Sequence, residues 1–280
     1  MKILIIVSAL ASSREAITYG GMIARIMQSS VTLMHVAEKG DMKAGEEILD
    51  QARQLLDRNI EVQTNLREGN LISRVLTETR QDEYDMIVIT PTHAIGEKHY
   101  SLSPESRVLL QRAPTSVLIV RHDHQKLERI LICTGGTPVA DPVIEFGAQI
   151  ASRAGAKATL LHVVNPIPSM YTGLYEIEET LPELLATETT IAKNLRRGAK
   201  ILADKDVAEA ELQLRHGEVA GEILREAHLG DYDLIVTGSP QWNQPLARFF
   251  LGDVTGKVFE LAPCPALMVK SKVAVDEKTG

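Results

Sequence analysis

The chain carries its own sequence twice, and that duplication limits the fold more than any other feature. Lys2-Ile-Leu-Ile-Ile-Val-Ser8 returns 127 residues later as Arg129-Ile-Leu-Ile-Cys-Thr-Gly135. Ile17, Gly20, Ile23, Ala24, Thr32, Leu33, His35 and Val36 are matched at the same offset by Ile144, Gly147, Ile150, Ala151, Thr159, Leu160, His162 and Val163. Glu83 to Val88 is answered by Asp231 to Val236 at offset 148, and Ala113-Pro114 by Ala262-Pro263 at offset 149. Matches kept in one order along the whole chain mean that an entire domain was copied, since solenoid repeats would recur every 20 to 50 residues or so. Each half tests the other: what both keep is scaffold, and what one loses is dispensable ligand chemistry.

Each half is long enough for its own hydrophobic core. A formal net charge of -7 argues against a nucleic-acid partner, because counterion release needs a basic face. Two cysteines, Cys133 and Cys264, fit a reducing compartment and free thiols. Cys264, between Pro263 and Pro265, reads as a small buried residue entering a strand. The apolar start at Ile3 to Val7 resembles a short signal peptide, but the same pattern stands at 129–135, inside the chain, so both read as a first buried strand. No apolar run reaches the roughly 20 residues that span a bilayer. The expectation is a cytoplasmic protein with no membrane partner.

Short β-branched runs alternate with amphipathic stretches. The predicted strands are 2–8, 31–37, 60–66, 85–90 and 117–121, then 129–134, 158–164, 208–215, 233–237 and 266–270. Several are apolar throughout, as strands buried on both faces of a parallel sheet are. Strand–helix alternation implies an α/β, doubly wound sheet with helices on both faces. Gly20 and Gly147 would let their helices approach the sheet closely. The change of offset places an insertion of 21 residues between the second and third strands of the second half. Pro166 to Gly173 opens it as a loop, and Glu176 to Asp204 reads as a long helix broken or restarted at Pro182. The matching stretch of the first half is one helix, about Lys43 to Arg58. The domains are expected at 1–122 and 128–272, with a polar tail after Lys270.

In such a sheet, ligands bind beyond the carboxyl ends of the strands where the strand order reverses. In the second half that crevice is expected between Thr134-Gly135-Gly136-Thr137 and Thr237-Gly238-Ser239-Pro240, whose small residues leave amides open to an anion. Leu251 to Val258 reads as a glycine turn opening or interrupting a helix, and a helix N-terminus there would suit phosphate. These motifs together resemble the universal stress protein family in tandem form. The resemblance rests on Tyr232 to Ser239, Leu251 to Val258 and Ala262 to Val269, and in the first half on Glu83 to Thr90 and Arg112 to Val120. It implies two Rossmann-like domains of the adenine nucleotide alpha hydrolase-like type. Each would have five parallel strands in order 3-2-1-4-5, with dimers formed through the last strands. The ATP-binding members of that family carry a glycine, two residues, a glycine, nine residues, and a glycine followed by serine or threonine.

The chain departs from that motif. In the second half the first glycine is Gly238, but Gln241 takes the second place, Gly252 lies one residue too far, and Asp253 replaces the hydroxyl. A carboxylate beside a triphosphate repels it. The family's acid after the first strand is Gly135 here and Ser8 in the first half. There, Thr90, His93 and Ser103-Pro104 stand at the motif positions, and Pro104 removes an amide. The first half is therefore expected to bind ATP weakly or not at all. The second keeps at most a remnant pocket for ATP or AMP, lined by Thr134, Gly135, Val163, Thr237, Gly238, Ser239, Gly252, Val254 and Thr255.

Other constellations read as structure. His35 and His162 are strand-end histidines bonded to nearby backbone, His122-Asp123-His124 is a solvated linker rather than a metal site, and the Glu176–Glu183 stretch is a solvated helix face. Trp242, Phe249 and Phe250 on the loop after the fourth strand either cover the pocket or the core. No nucleophile–base–acid set, G-x-S-x-G elbow or P-loop lysine is present in the sequence. The sequence thus points to a non-enzymatic stress-response protein without catalytic or metal residues, forming an internal pseudo-dimer through 117–121 and 266–270, with a homodimer of chains left open. A nucleotide sensor using the second-half pocket is the alternative, and an enzyme acting on an adenylated or phosphorylated metabolite is a third.

Overall fold

The computed structural model describes residues 1–91, 93–95, 99–121, 124–165, 179–238 and 247–270. The first half runs β1 (Lys2–Ile6), α1 (Leu10–Met27), β2 (Ser30–Ala37), α2 (Met42–Gln54), β3 (Val62–Glu68), α3 (Leu71–Gln81), β4 (Met86–Ile89), a small antiparallel ribbon of β5 (His93–Ile95) and β6 (His99–Ser101), α4 (Pro104–Arg112) and β7 (Ser116–Ile119). The second runs β8 (Arg129–Thr134), a 3-10 turn at Pro138–Ala140, α5 (Asp141–Ala154), β9 (Lys157–Val164), α6 (Leu181–Leu185), α7 (Thr190–Asp204), β10 (Ala210–His216), α8 (Val219–Leu229), β11 (Leu234–Gly238), α9 (Ala247–Leu261) and β12 (Ala266–Val269).

Within each half the strand order is the expected 3-2-1-4-5. One ten-stranded sheet runs β3-β2-β1-β4-β7-β12-β11-β8-β9-β10. Every neighbouring pair in it is parallel except β7 with β12, which join the halves antiparallel through Ile119↔Ala266, Leu118↔Leu267 and Val117↔Met268. The inner strands are buried on both faces, so alternate residues enter different cores. Ile3, Ile5 and Val7 face one core with α1, α2, α5 and α7. Leu4 and Ile6 face the other with α3, α4, α8 and α9. Each core contains residues of both halves, so packing is continuous across the β7–β12 junction.

Side chains also cross that junction. Arg153 of α5 donates to the Met27 carbonyl at the end of α1 (2.9 Å). Arg121, after β7, donates to the carbonyls of Phe259, Glu260 and Ala262 at the end of α9. Lys270, after β12, donates to those of Gln111 and Ala113 at the end of α4 (3.4 and 2.5 Å). Cations at helix C-termini satisfy free carbonyls and complement the helix dipole. Both glycines expected to bring helix and sheet together do so: a Cβ on Gly20 would lie 2.9 Å from Ile5 Cδ1, and one on Gly147 2.7 Å from Ile132 Cδ1.

Two expectations need correction, and one element was not foreseen. The helix read over 176–204 does restart at Pro182, where α6 begins behind a Thr180–Glu183 capping box, but it breaks a second time before Thr189, which caps α7 anew. The residue range 96–98 aside, the segment after β4 forms the β5–β6 ribbon, which packs toward α9 of the other half. Gly252 opens no turn: it lies inside α9, which begins at Ala247.

Candidate functional site

The crevice forms where β8, β9 and β11 end. Register sets Thr134 beside His162 and Val236 beside Ile132, so Gly135, Val163, Thr237 and Gly238 converge around the end of β8. Thr134, Val163 and Thr237 are buried and Gly135 is exposed. Gly238 pairs with Val269 of β12, and a Cβ there would lie 3.1 Å from Val143 Cγ2, so α5 closes against the end of β11. Ser239 and Trp242 lie outside the described residues. Gly252, Val254 and Thr255 all stand on α9, with Val254 packed against the core and Thr255 buried. Their amides are past the first turn and serve the helix, not an incoming anion. Phe249 and Phe250 also belong to α9 and not to the preceding loop.

The turn after β8 is fixed by three side chains. Thr134 Oγ1 accepts from the Gly136 amide (3.2 Å), and Asn194 Nδ2 of α7 donates to the Gly136 carbonyl (2.8 Å). His162 Nδ1 donates to the Thr134 carbonyl (3.0 Å), leaving Nε2 unprotonated in the neutral ring. Gly136 sits at φ +68°, and any Cβ would fall 2.9 Å from His162 Cε1. Burial lowers the His162 pKa, the Thr134 carbonyl opposes that shift, and nearby His216 adds to it. The histidine is a structural strand-end residue, as the sequence suggested, and His35 repeats it on the Val7 carbonyl (2.7 Å).

In the first half, side chains take up amides at the matching crevice. Ser13 Oγ takes the Ser8 amide (3.0 Å). At α4, the Ser103 hydroxyl accepts from the Ser106 amide (3.1 Å) and both residues are buried. Pro104 supplies no donor. Of the amides there, those of Ser8 and Ser106 are thus taken by side chains.

Sequence reasoning missed a pair of buried carboxylates. Glu226, on α8, accepts from Gln213 Nε2 (2.8 Å), from the Arg215 guanidinium and from the Tyr232 hydroxyl (3.1 Å). Glu78, on α3, accepts from Arg67 (3.2 Å) and Tyr84 (3.0 Å) in the same arrangement. The signal was available: glutamate and tyrosine recur six apart in both halves at offset 148. Retention in both copies marks scaffold that ties α3 and α8 to the strands beside them. Burial pushes the Tyr232 hydroxyl up to about 12 and raises that of Tyr84.

Burial likewise pushes the Cys133 thiol up to about 12 and raises Cys264; both are buried and free, which disfavours the thiolate and its nucleophilic chemistry. Among the described residues no group of three histidine, cysteine or carboxylate side chains could hold a metal ion. His122 and Asp123 of the linker lie outside them. Nor is any described helix long and apolar enough to cross a membrane.

Comparison with known proteins agrees with this architecture. A universal stress protein of Methanocaldococcus jannaschii is 28% identical over 152 residues, 54% of this chain and 87% of that protein. The Bacillus subtilis universal stress protein YxiE is 29% identical over 152 residues, 51% of this chain and 98% of that protein. Among solved structures, a universal stress protein of Archaeoglobus fulgidus superimposes with a TM-score of 0.74 at 16% identity, covering 96% of this chain and 98% of its own. A Pseudomonas aeruginosa protein of unknown function gives 0.73 at 19%, covering 96% and 92%. The universal stress protein family model matches twice, over residues 1–121 and again over 126–270. The chain therefore belongs to the universal stress protein family, as a tandem of two such domains.

Proposed function

We propose that this chain is a non-enzymatic, cytoplasmic stress-response protein in which domains 1–122 and 128–272 act as one internally paired unit. The antiparallel junction of β7 with β12 supports the pairing most directly, together with cores continuous across it. Fusion holds the second domain at high effective concentration without further contacts. Nucleotide binding is lost from the first half, where Ser13, Ser103 and Pro104 occupy or remove the phosphate-facing amides. In the second half none of the nine candidate residues is cationic, and α9 spends the Gly252–Thr255 amides inside the helix. Isothermal titration with ATP, ADP and AMP, with and without magnesium, tests this. Micromolar ATP binding that survives disruption of the second-half crevice overturns it, as does turnover of any of the three.

The convergence of Thr134, Gly135, Val163, Thr237 and Gly238 favours one second reading. In it the second half senses AMP or ATP in altered geometry, with the 166–206 segment as effector surface. Mass spectrometry on gently purified protein separates the two: a stoichiometric nucleotide supports the sensor, and an empty crevice supports the scaffold.

A further inference from the structure

Two matched halves should form two matched junctions where the start of one last strand meets the end of the other. They do not. At the first, Tyr19 of α1 is 1% exposed and donates to the Asp233 carbonyl (2.8 Å). Arg121 and Leu127 are buried there as well. At the second, Phe146, Lys270 and Asp85 hold the positions of Tyr19, Arg121 and Asp233. Here a cavity of about 430 Å³ remains open, bordered by these three residues and by Pro142, Ser116 and Val269. That volume is in the range of small-molecule sites.

The charges around this cavity define what it would accept. Asp85 and Lys270 both border it, yet no ion pair joins them. Asp85 Oδ2 accepts from the Lys2 amide (2.8 Å), which leaves its other oxygen. Lys270 Nζ gives two of its three N–H donors to Gln111 and Ala113. Met1 also borders the cavity and is 36% exposed. A lone carboxylate would satisfy Lys270 and face Asp85 as a like charge; a lone amine would do the reverse; a hydrocarbon would leave both charges unmatched. A zwitterion meets both with charge-assisted hydrogen bonds, and the Phe146, Pro142 and Val269 walls favour an apolar remainder. At the closed junction the chain itself buries a leucine, Leu127, beside the residue that matches Met1.

We propose that this inter-domain cavity binds a free α-amino acid with an apolar side chain, its ammonium at Asp85, its carboxylate at Lys270 and its side chain against Phe146 and Val269. The site is separate from the β8–β9–β11 crevice, so its test stands whatever the nucleotide titrations give. Full-length protein is titrated by calorimetry and NMR with L-leucine and L-phenylalanine, and with 4-methylpentanoate and isoamylamine, which are leucine without its amine or its carboxylate. At least one amino acid binds saturably, and both truncated analogues bind about tenfold more weakly or worse, as expected for loss of a charged hydrogen bond. Lys270→Gln and Asp85→Asn each weaken binding by a similar factor. Phe146→Trp fills the cavity and abolishes binding while thermal unfolding stays cooperative, which keeps the test decisive if Asp85→Asn fails to fold. No saturable binding of either amino acid, equal binding of a truncated analogue, or undiminished binding in Phe146→Trp overturns the proposal.

Discussion

Leu118 and Leu267 stand directly opposite one another in the antiparallel pairing of β7 with β12, each 1% exposed. They are the centre of the seam that makes two sheets into one. Truncating either to alanine should cost about 2–5 kcal/mol, the usual range for a buried leucine. Lysine at both positions would place two unpaired ammonium groups face to face in the core, where an isolated charge costs several kcal/mol. The double variant Leu118→Lys/Leu267→Lys should unfold or hold its halves apart. Thermal unfolding and small-angle scattering check this, and an unchanged melting temperature with unchanged radius of gyration would contradict the pairing.

Tyr19 and Phe146 occupy matched positions but do different work. In the second half Pro265 accepts from the Ile235 amide (3.0 Å) but has no N–H to return across the parallel ladder. The Asp233 carbonyl is instead satisfied by the Tyr19 hydroxyl from the other half. The first half has Ser116 at the place of Pro265, which keeps its N–H, and a phenylalanine suffices. Tyr19→Phe should therefore cost about 1–3 kcal/mol by leaving a buried acceptor unmet. Restoring an N–H with Pro265→Ser in the same chain should recover part of that loss. Urea unfolding of the natural chain and the two variants decides it, and a neutral Tyr19→Phe would count against this account.

Much of this was legible from residue spacing. Ile17, Gly20, Ile23 and Ala24 define a helix face, and the close approach at Gly20 and Gly147 follows from that period and the missing Cβ. The strand order and the β7–β12 seam came from resemblance, because period alone does not rank neighbours in a sheet. The Tyr19–Asp233 bond joins residues 214 apart, and no local pattern encodes such a partner. At Gly252 local propensity misled. A glycine inside a helix costs about 1 kcal/mol, but Val254, Thr255, Val258 and Phe259 recur at helical spacing, with Thr255, Val258 and Phe259 buried, and that packing outweighs one glycine. The β5–β6 ribbon escaped notice because its short segments lack the apolar runs of the core strands.

Glu226 and Glu78 allow a comparison inside one molecule. Glu226 has a glutamine, an arginine and a tyrosine as donors, and its Arg215 side chain is 28% exposed. Glu78 has an arginine and a tyrosine, and its Arg67 side chain is 48% exposed. Removing one partner of a buried pair strands the others, at about 3–5 kcal/mol when burial is complete; solvent at Arg67 screens the first-half pair. Glu226→Leu should therefore destabilise more than Glu78→Leu. Denaturant midpoints of the two variants give the order, and the reverse order would show that the extra donors at Glu226 add nothing.

His162 sets an acid limit on stability. Its pKa is held below 6.5 by burial in the folded chain, so the unfolded chain takes up the proton first. Stability is then fully present above about pH 6.5 and falls as pH drops through the interval between that value and the depressed folded pKa. Protonation would also pit the imidazolium against nearby His216 while it keeps its bond to Thr134. The carboxylates held low in the fold, Glu218 by the Gly221 amide foremost, Glu183 by the Thr180 hydroxyl foremost and Asp82 by Lys2, begin to act only as pH approaches 4.5 for the glutamates and 3.8 for the aspartate, their ordinary values. The window from pH 5 to about 6.5 is thus free of their main effect. Melting temperatures measured across it should decline for the natural chain and decline less for His162→Gln, whose amide can still donate to the Thr134 carbonyl. Parallel profiles for the two proteins would mean that His162 is not the group responsible.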